Sequence, residues 1–173
     1  QVTHNCAAFD SRIATQWLLG LCTSANQTVS PANPNSSSAR QVSSVFDTFG
    51  ELTSSTSMPG TSLQLVVSYA REPNTGVPIS VTKTWTDPLP PGPVQNPTTS
   101  MTYDSQWRFP VTVKNALGQV QTYGYDAGTG VETSVIDYNN LTTSWKVDAW
   151  GRKTEEDRPD GTSTTIAYRL CVD

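Results

Sequence analysis

Charge is scarce in this chain, and so are histidine and long apolar runs. Charged side chains make up 15% of 173 residues, with eleven Lys and Arg against fifteen Asp and Glu for a net charge of -4. The cations are scattered, whereas phosphate backbones are bound by clustered ones, so no nucleic-acid partner is expected. No apolar stretch approaches the ~18–20 residues of a membrane helix, which argues against membrane insertion. His4 is the only histidine and has no base-and-nucleophile company nearby. GxSxG, HExxH, P-loop and GxGxxG fingerprints are all missing. The chain therefore reads as a non-enzyme that needs no cofactor.

Cysteine is sparse too. Cys6, Cys22 and Cys171 lack metal-ligand spacing. They are either three free or buried thiols, or a local Cys6–Cys22 disulfide with Cys171 left for a cysteine elsewhere. The acidic run Glu155-Glu156-Asp157-Arg158-Pro159-Asp160-Gly161 offers oxygens to a calcium ion. It reads more simply as a solvated strand end leading into a turn, and no metal site is assigned. Three sequons, at Asn26, Asn35 and Asn140, carry little weight in so Ser/Thr-rich a chain. No signal peptide is recognisable, and both ends read as cuts through a longer protein.

What the chain has is a turn signal on a regular spacing. Asp104, Asn115, Asp126, Asp137 and Asp148 are each eleven residues apart, and another step of eleven reaches Pro159, beside Asp160-Gly161. Asp and Asn bond their own backbone two residues on, and Gly accepts positive φ. Gly118, Gly130 and Gly151 follow three of these positions at the distance a tight turn needs. Asp104 is followed by Ser-Gln-Trp-Arg without Gly, so its turn should differ in type. Between turns lies room for a strand, and the pattern predicts one hairpin copied many times.

An aromatic series runs over the same spacing: Phe9-Asp10, Phe46-Asp47, Tyr69-Ala70, Tyr103-Asp104 and Tyr125-Asp126, then Val147-Asp148 and Tyr168-Arg169 in degraded form. The unit is about 22 residues, two strands and two turns, with surplus residues in two long intervals. Ser30–Ala39 and Asp87–Pro97, rich in Pro and small polar residues, are expected to hold that surplus as enlarged turns. Alternating apolar rows, such as Leu63, Leu65, Val67 and Tyr69, end at the aromatic position. This predicts a ladder of buried rings, with Trp145 in the core. Phe9, Ile13, Trp17 and Leu21 fall four apart and leave a short helical turn open before a strand near residues 17–29.

The Tyr-Asp pairs at Tyr103-Asp104 and Tyr125-Asp126, with Val147-Asp148-Ala-Trp-Gly151-Arg152, resemble the tyrosine-aspartate (YD) repeat of the Rhs family. The resemblance covers residues 40 to 169 well and residues 1 to 39 less clearly. It implies an all-β chain of antiparallel hairpins forming a curved open sheet, a segment of a YD-repeat shell. Residues 1–39 would be an irregular N-terminal segment with the first strands, and 40–173 the repeat sheet. Phe9, Phe46, Tyr69, Tyr103, Tyr125, Val147 and Tyr168 would be its ring column, and Asp104, Asp126 and Asp148 its turns. The family's shells enclose a C-terminal toxic polypeptide in bacterial effectors and insecticidal toxins, and support adhesion in teneurins. A bacterial secreted or cell-surface location is thus implied, with neighbouring repeats and an encapsulated toxin as partners. The family's aspartyl autoprotease signature is not found, so autocleavage is not expected.

Two further partner expectations come from the residues themselves. Trp85, Trp107 and Trp150 are candidates to stack on a glycan, although packing is the simpler role for each. Unpaired sheet edges invite edge-strand self-association.

Overall fold

In the computed structural model, residues 2–10, 12, 20–29, 38–88 and 91–169 are described. Every regular element among them is a β-strand: β1 (Val2–Phe9), β2 (Cys22–Val29), β3 (Ser38–Phe46), β4 (Leu52–Ser57), β5 (Leu65–Arg71), β6 (Pro78–Pro88), β7 (Pro91–Gln95), β8 (Thr98–Tyr103), β9 (Pro110–Lys114), β10 (Val120–Tyr125), β11 (Glu132–Ile136), β12 (Thr142–Val147), β13 (Lys153–Asp157) and β14 (Ser163–Thr165). The expected all-β class of antiparallel hairpins in an open sheet is what the chain adopts. Two compact units divide it, Gln1–Thr98 and Thr99–Asp173. In the first, β1 to β6 pair in chain order and β7 returns along β6. In the second, β8 to β14 form a seven-stranded meander, each strand pairing with the next.

The meander alternates two kinds of hairpin. Those turning at Asp104, Asp126 and Asp148 carry a β-bulge beside the turn: Thr102 faces Thr112 but Tyr103 faces Pro110, Gly124 faces Ser134 but Tyr125 faces Glu132, and Lys146 faces Glu155 but Val147 faces Lys153. Those turning at Asn115, Asp137 and Arg158 keep an unbroken register. One bulged and one plain hairpin make the 22-residue unit. In the first unit the same bulge recurs where Phe9 faces Cys22, Phe46 faces Leu52 and Arg71 faces Pro78. The extra residues are Thr23, Thr53, Ile79, Val111, Thr133 and Thr154, β-branched in all six cases. Three of them put the hydroxyl to use, with Thr23, Thr53 and Thr154 donating to the carbonyls of Ala8, Val45 and Lys146 across the strand pair at 3.0–3.3 Å. This satisfies acceptors that the ladder leaves open.

Several expectations are corrected. The step from Asp148 is ten rather than eleven, because the last turn begins at Arg158, whose N–H donates to Thr162 O. Asp160 supplies the side-chain acceptor there instead of the first residue. Tyr69-Ala70 does not start a turn; β5 runs on to Arg71 and the reversal begins at Glu72. Asp87–Pro97 is no enlarged turn, since β6 extends to Pro88 and pairs back with β7 at Trp85–Gln95, Thr86–Val94 and Pro88–Pro91. Proline is tolerated there because β7 pairs only with β6 and leaves its other side free of ladder bonds. Residues 30–37, 13–19 and 170–173 lie outside the described part, and with them the Ser/Pro loop, the candidate helical turn and Cys171. Strand β2 begins at Cys22. Cys6 and Cys22 are disulfide-bonded, tying β1 to β2.

The expected core of buried rings is also absent among the described residues, none of which is fully buried. A single layer of strands leaves each side chain one face of water. Trp145 is part-exposed and lies beneath the Lys153 ammonium, whose Nζ is 3.4 Å from its ring centroid.

Candidate functional site

The constellation the fold builds is the stacked end of the bulged turns. At each, the first residue's side chain replaces backbone partners that the reversal leaves open. Asp148 Oδ1 accepts the N–H of Trp150 and of Arg152, and Gly151 N donates to Asp148 O. Asp47 does the same with Phe49 and Glu51. Glu72 does it with Asn74 and Thr75, its longer arm filling the same role. Asp126 takes Gly128, Thr129 and the Thr129 hydroxyl. The plain turns at Asn115 and Asp137 share the device, with Gly118 at φ 82° and Asn140 at φ 59° in the left-handed position.

Such bonds favour the ionised form of Asp10, Glu72, Asp126 and Asp137. Asp10 is lowered to about 2 by the Arg12 guanidinium and N–H. Asp126 is lowered first by the Thr129 hydroxyl, and Asp137 first by the Leu141 N–H. A carboxylate so occupied is a turn strut and a poor proton-transfer group. Asp104 and Asp148 also bind their own arginines, Arg108 at 3.2 Å and Arg152 at 2.7 Å.

The Asp104 turn differs as expected. It closes five residues on, at Phe109, as the Asp126 turn does at Val131, but its inner bond comes from the third residue, Trp107, which takes the left-handed position at φ 57°. An indole in that region is costly. Its ring lies 5.7 Å from Tyr103.

Successive turns are then locked together. Tyr125 stacks on Phe109, the residue that closes the preceding bulged turn, with centroids 4.9 Å apart, and its hydroxyl donates to Pro110 O at 3.2 Å. Tyr168 repeats both contacts on the next but one turn: the Arg152 guanidinium lies 4.4 Å from its ring centroid and its hydroxyl donates to Lys153 O at 3.0 Å. Arg71, standing where a Tyr would, reaches the corresponding carbonyl of Leu52 with two guanidinium nitrogens. Glycine completes the fit. A Cβ on Gly130 would lie 2.9 Å from Phe109, and one on Gly151 3.0 Å from Val131. On the plain side, Gly161 has nothing within 4 Å.

The sequence-picked positions thus fall into place unevenly. Phe9, Phe46, Tyr103, Tyr125 and Val147 each end a strand before a bulged turn. Tyr69 lies two residues short of its turn, and Tyr168 lies beyond β14 with no described turn after it. Trp85 is in β6 of the first unit, Trp107 packs on Tyr103, and Trp150 sits at a turn tip, 79% exposed, with Arg152 5.0 Å from its centroid. Glu155 and Glu156 point to opposite faces and hold Lys146 and Arg158. Among the described residues, no group of three His, Cys, Asp or Glu gathers to hold a metal, and no helix is long and apolar enough to cross a membrane. A cleft of about 410 Å³ opens between the turns at Asp47 and Glu72, but its Arg71 and Glu72 are already engaged with neighbouring groups.

No protein-family model matches the chain, and no curated protein matches it.

Proposed function

We propose that this chain is a wall segment of a secreted, bacterial YD-repeat protein of the Rhs type, lending strands to a hollow shell around a C-terminal toxin or effector. The observation that supports this reading most is the backward lock of Tyr125 on Phe109 and Pro110, repeated by Tyr168 on Arg152 and Lys153. Such contacts let a wall lengthen by one rule. The Cys6–Cys22 disulfide fits an oxidising compartment outside the cytosol. Reading the coding sequence past residue 173 tests the proposal. Further repeats of about 22 residues, followed by an unrelated C-terminal domain, are expected, and a stop without either would refute it.

A second reading, an adhesive or glycan-binding surface repeat, is favoured by one observation, the 79% exposure of Trp150. Under it, a glycan array would show binding that Trp150→Ala abolishes. A wall anchor in place of a toxin domain would point the same way.

A further inference from the structure

The first hairpin carries one irregularity more than the other bulged hairpins. From its turn outward, Phe9 faces Cys22, Ala8 faces Ser24 and Cys6 faces Ala25, so β2 has an extra residue at Thr23 and β1 another at Ala7. The bulge at Thr23 is the shared one. The bulge at Ala7 has no counterpart, since each of the other pairings shifts register once. Its effect is to turn Cys6 over. Side chains alternate along a strand, so Cys22, Phe9 and Ala25 share a face. Cys6, set opposite Ala25 by the bulge, joins that face and reaches Cys22 in the disulfide. With the ladder closed over Ala7, Ala7 would face Ala25 and Cys6 would face Asn26. The two sulfurs would then stand on opposite faces of the sheet.

We propose that the Cys6–Cys22 disulfide is a redox latch on the register of β1, and that its reduction slides residues 2–6 by one place along β2. Three observations carry this. β1 ends the sheet and pairs with β2 alone, whereas β2 is fixed on its other side by an unbroken ladder from Ser24–Ser43 to Val29–Ser38. Burial does not pin the register, because residues 5–9 are all exposed. The Ala7 bulge interrupts a ladder that would otherwise run on, while the Thr23 hydroxyl, donating to Ala8 O, holds the shared bulge in place. Reduction takes two electrons and two protons from a dithiol. One of its thiolates attacks a sulfur of the pair, its second thiol resolves the mixed disulfide, and the products are the Cys6 and Cys22 thiols and the reductant's own disulfide. The ladder then closes over Ala7, and the two thiols part to opposite faces.

Nuclear magnetic resonance of the full 173-residue chain, with and without a dithiol reductant, tests this through backbone proton contacts across the strand pair. The oxidised chain is expected to show Asn5 against Asn26 and Cys6 against Ala25. In the reduced chain Asn5 should lie against Gln27, Cys6 against Asn26 and Ala7 against Ala25, a shift of one residue, with the β2–β3 contacts unchanged. Deleting Ala7 supplies the control. It removes the extra residue, so Cys6 faces Ala25 in both redox states and reduction moves nothing. A reduced wild type that keeps Asn5 against Asn26 overturns the proposal, since the bulge then owes nothing to the disulfide. Loss of every β1–β2 contact overturns it as well, because reduction would then release the strand without giving it a second register. An equal shift in the chain lacking Ala7 would do the same.

Discussion

Tyr125 rests on Phe109 across the β9–β10 pair, sixteen residues earlier in the chain, and its hydroxyl caps the carbonyl of the next residue, Pro110. Tyr168 stands in the same relation to Arg152 and Lys153. The shared interval shows that the ring position is defined by the hairpin before it, with the ring's own turn secondary.

Removing only the hydroxyl should therefore be measurable. Tyr125→Phe is expected to cost about 0.5–1.5 kcal/mol, the net worth of one hydrogen bond. Tyr125→Ala should cost about 2–3 kcal/mol, because the Phe109 stack goes as well. Urea unfolding of the three proteins checks the order, and equal midpoints for wild type and Tyr125→Phe would reject the capping role.

Glycine should matter differently at the two ends of the sheet. Gly161→Ala meets only the backbone penalty of positive φ, about 1 kcal/mol. Gly130→Ala adds a collision with Phe109 and should cost about 2–3 kcal/mol. Thermal melts giving the reverse ranking would contradict the stacked-turn geometry.

Trp107 is a local conflict between backbone and side chain. Trp107→Gly relieves about 1 kcal/mol of left-handed strain and forfeits a ring contact with Tyr103 of about 0.5–1.5 kcal/mol, so stability stays near wild type. Trp107→Ala keeps the strain and loses the ring, and should unfold at lower urea than Trp107→Gly.

Acid should loosen the turns. Asp10, Asp126, Asp137 and Asp160 all have folded values below the ordinary 3.8, with Asp10 at about 2. Their stabilisation is fully present above pH ~4. It is lost as pH falls from there toward 2, where protonation ends the turn bonds. Urea midpoints flat from pH 5 to 7 and falling below 4 are the expected profile.

Reduction should act locally. Opening Cys6–Cys22, which closes a 16-residue step, removes about 3 kcal/mol by loop-entropy reasoning. Limited proteolysis after reduction should cut first within residues 1–30. Cleavage starting in β8–β13 instead would show that the bond staples more than its own hairpin.

Much of the fold was legible because Asp, Asn and Gly have few other reasons to recur at eleven. Three misreadings share a cause: one side-chain function supplied by an unexpected residue. Glu72 performs an aspartate's task with one more methylene, so the eye stops at Tyr69. Asp160 supplies its oxygen from the third turn position, which hides the start at Arg158. Arg71 covers a carbonyl that Tyr covers elsewhere, so the aromatic series settles on Tyr69, two residues short of the contact. The bulges did leave a trace, a β-branched residue two places past each closing residue, from Thr23 to Thr154. The lack of burial was not legible, since an alternating strand reads alike whether or not a second layer lies over it.

The backward reach of the tyrosine also gives the array a polarity. The tyrosine of one module reaches back to the turn of the module before it, while the strand ladder binds neighbours in both directions. Duplicating a single unit would thus supply its own docking partner at once, a route by which such chains lengthen without any redesign of the parts already there.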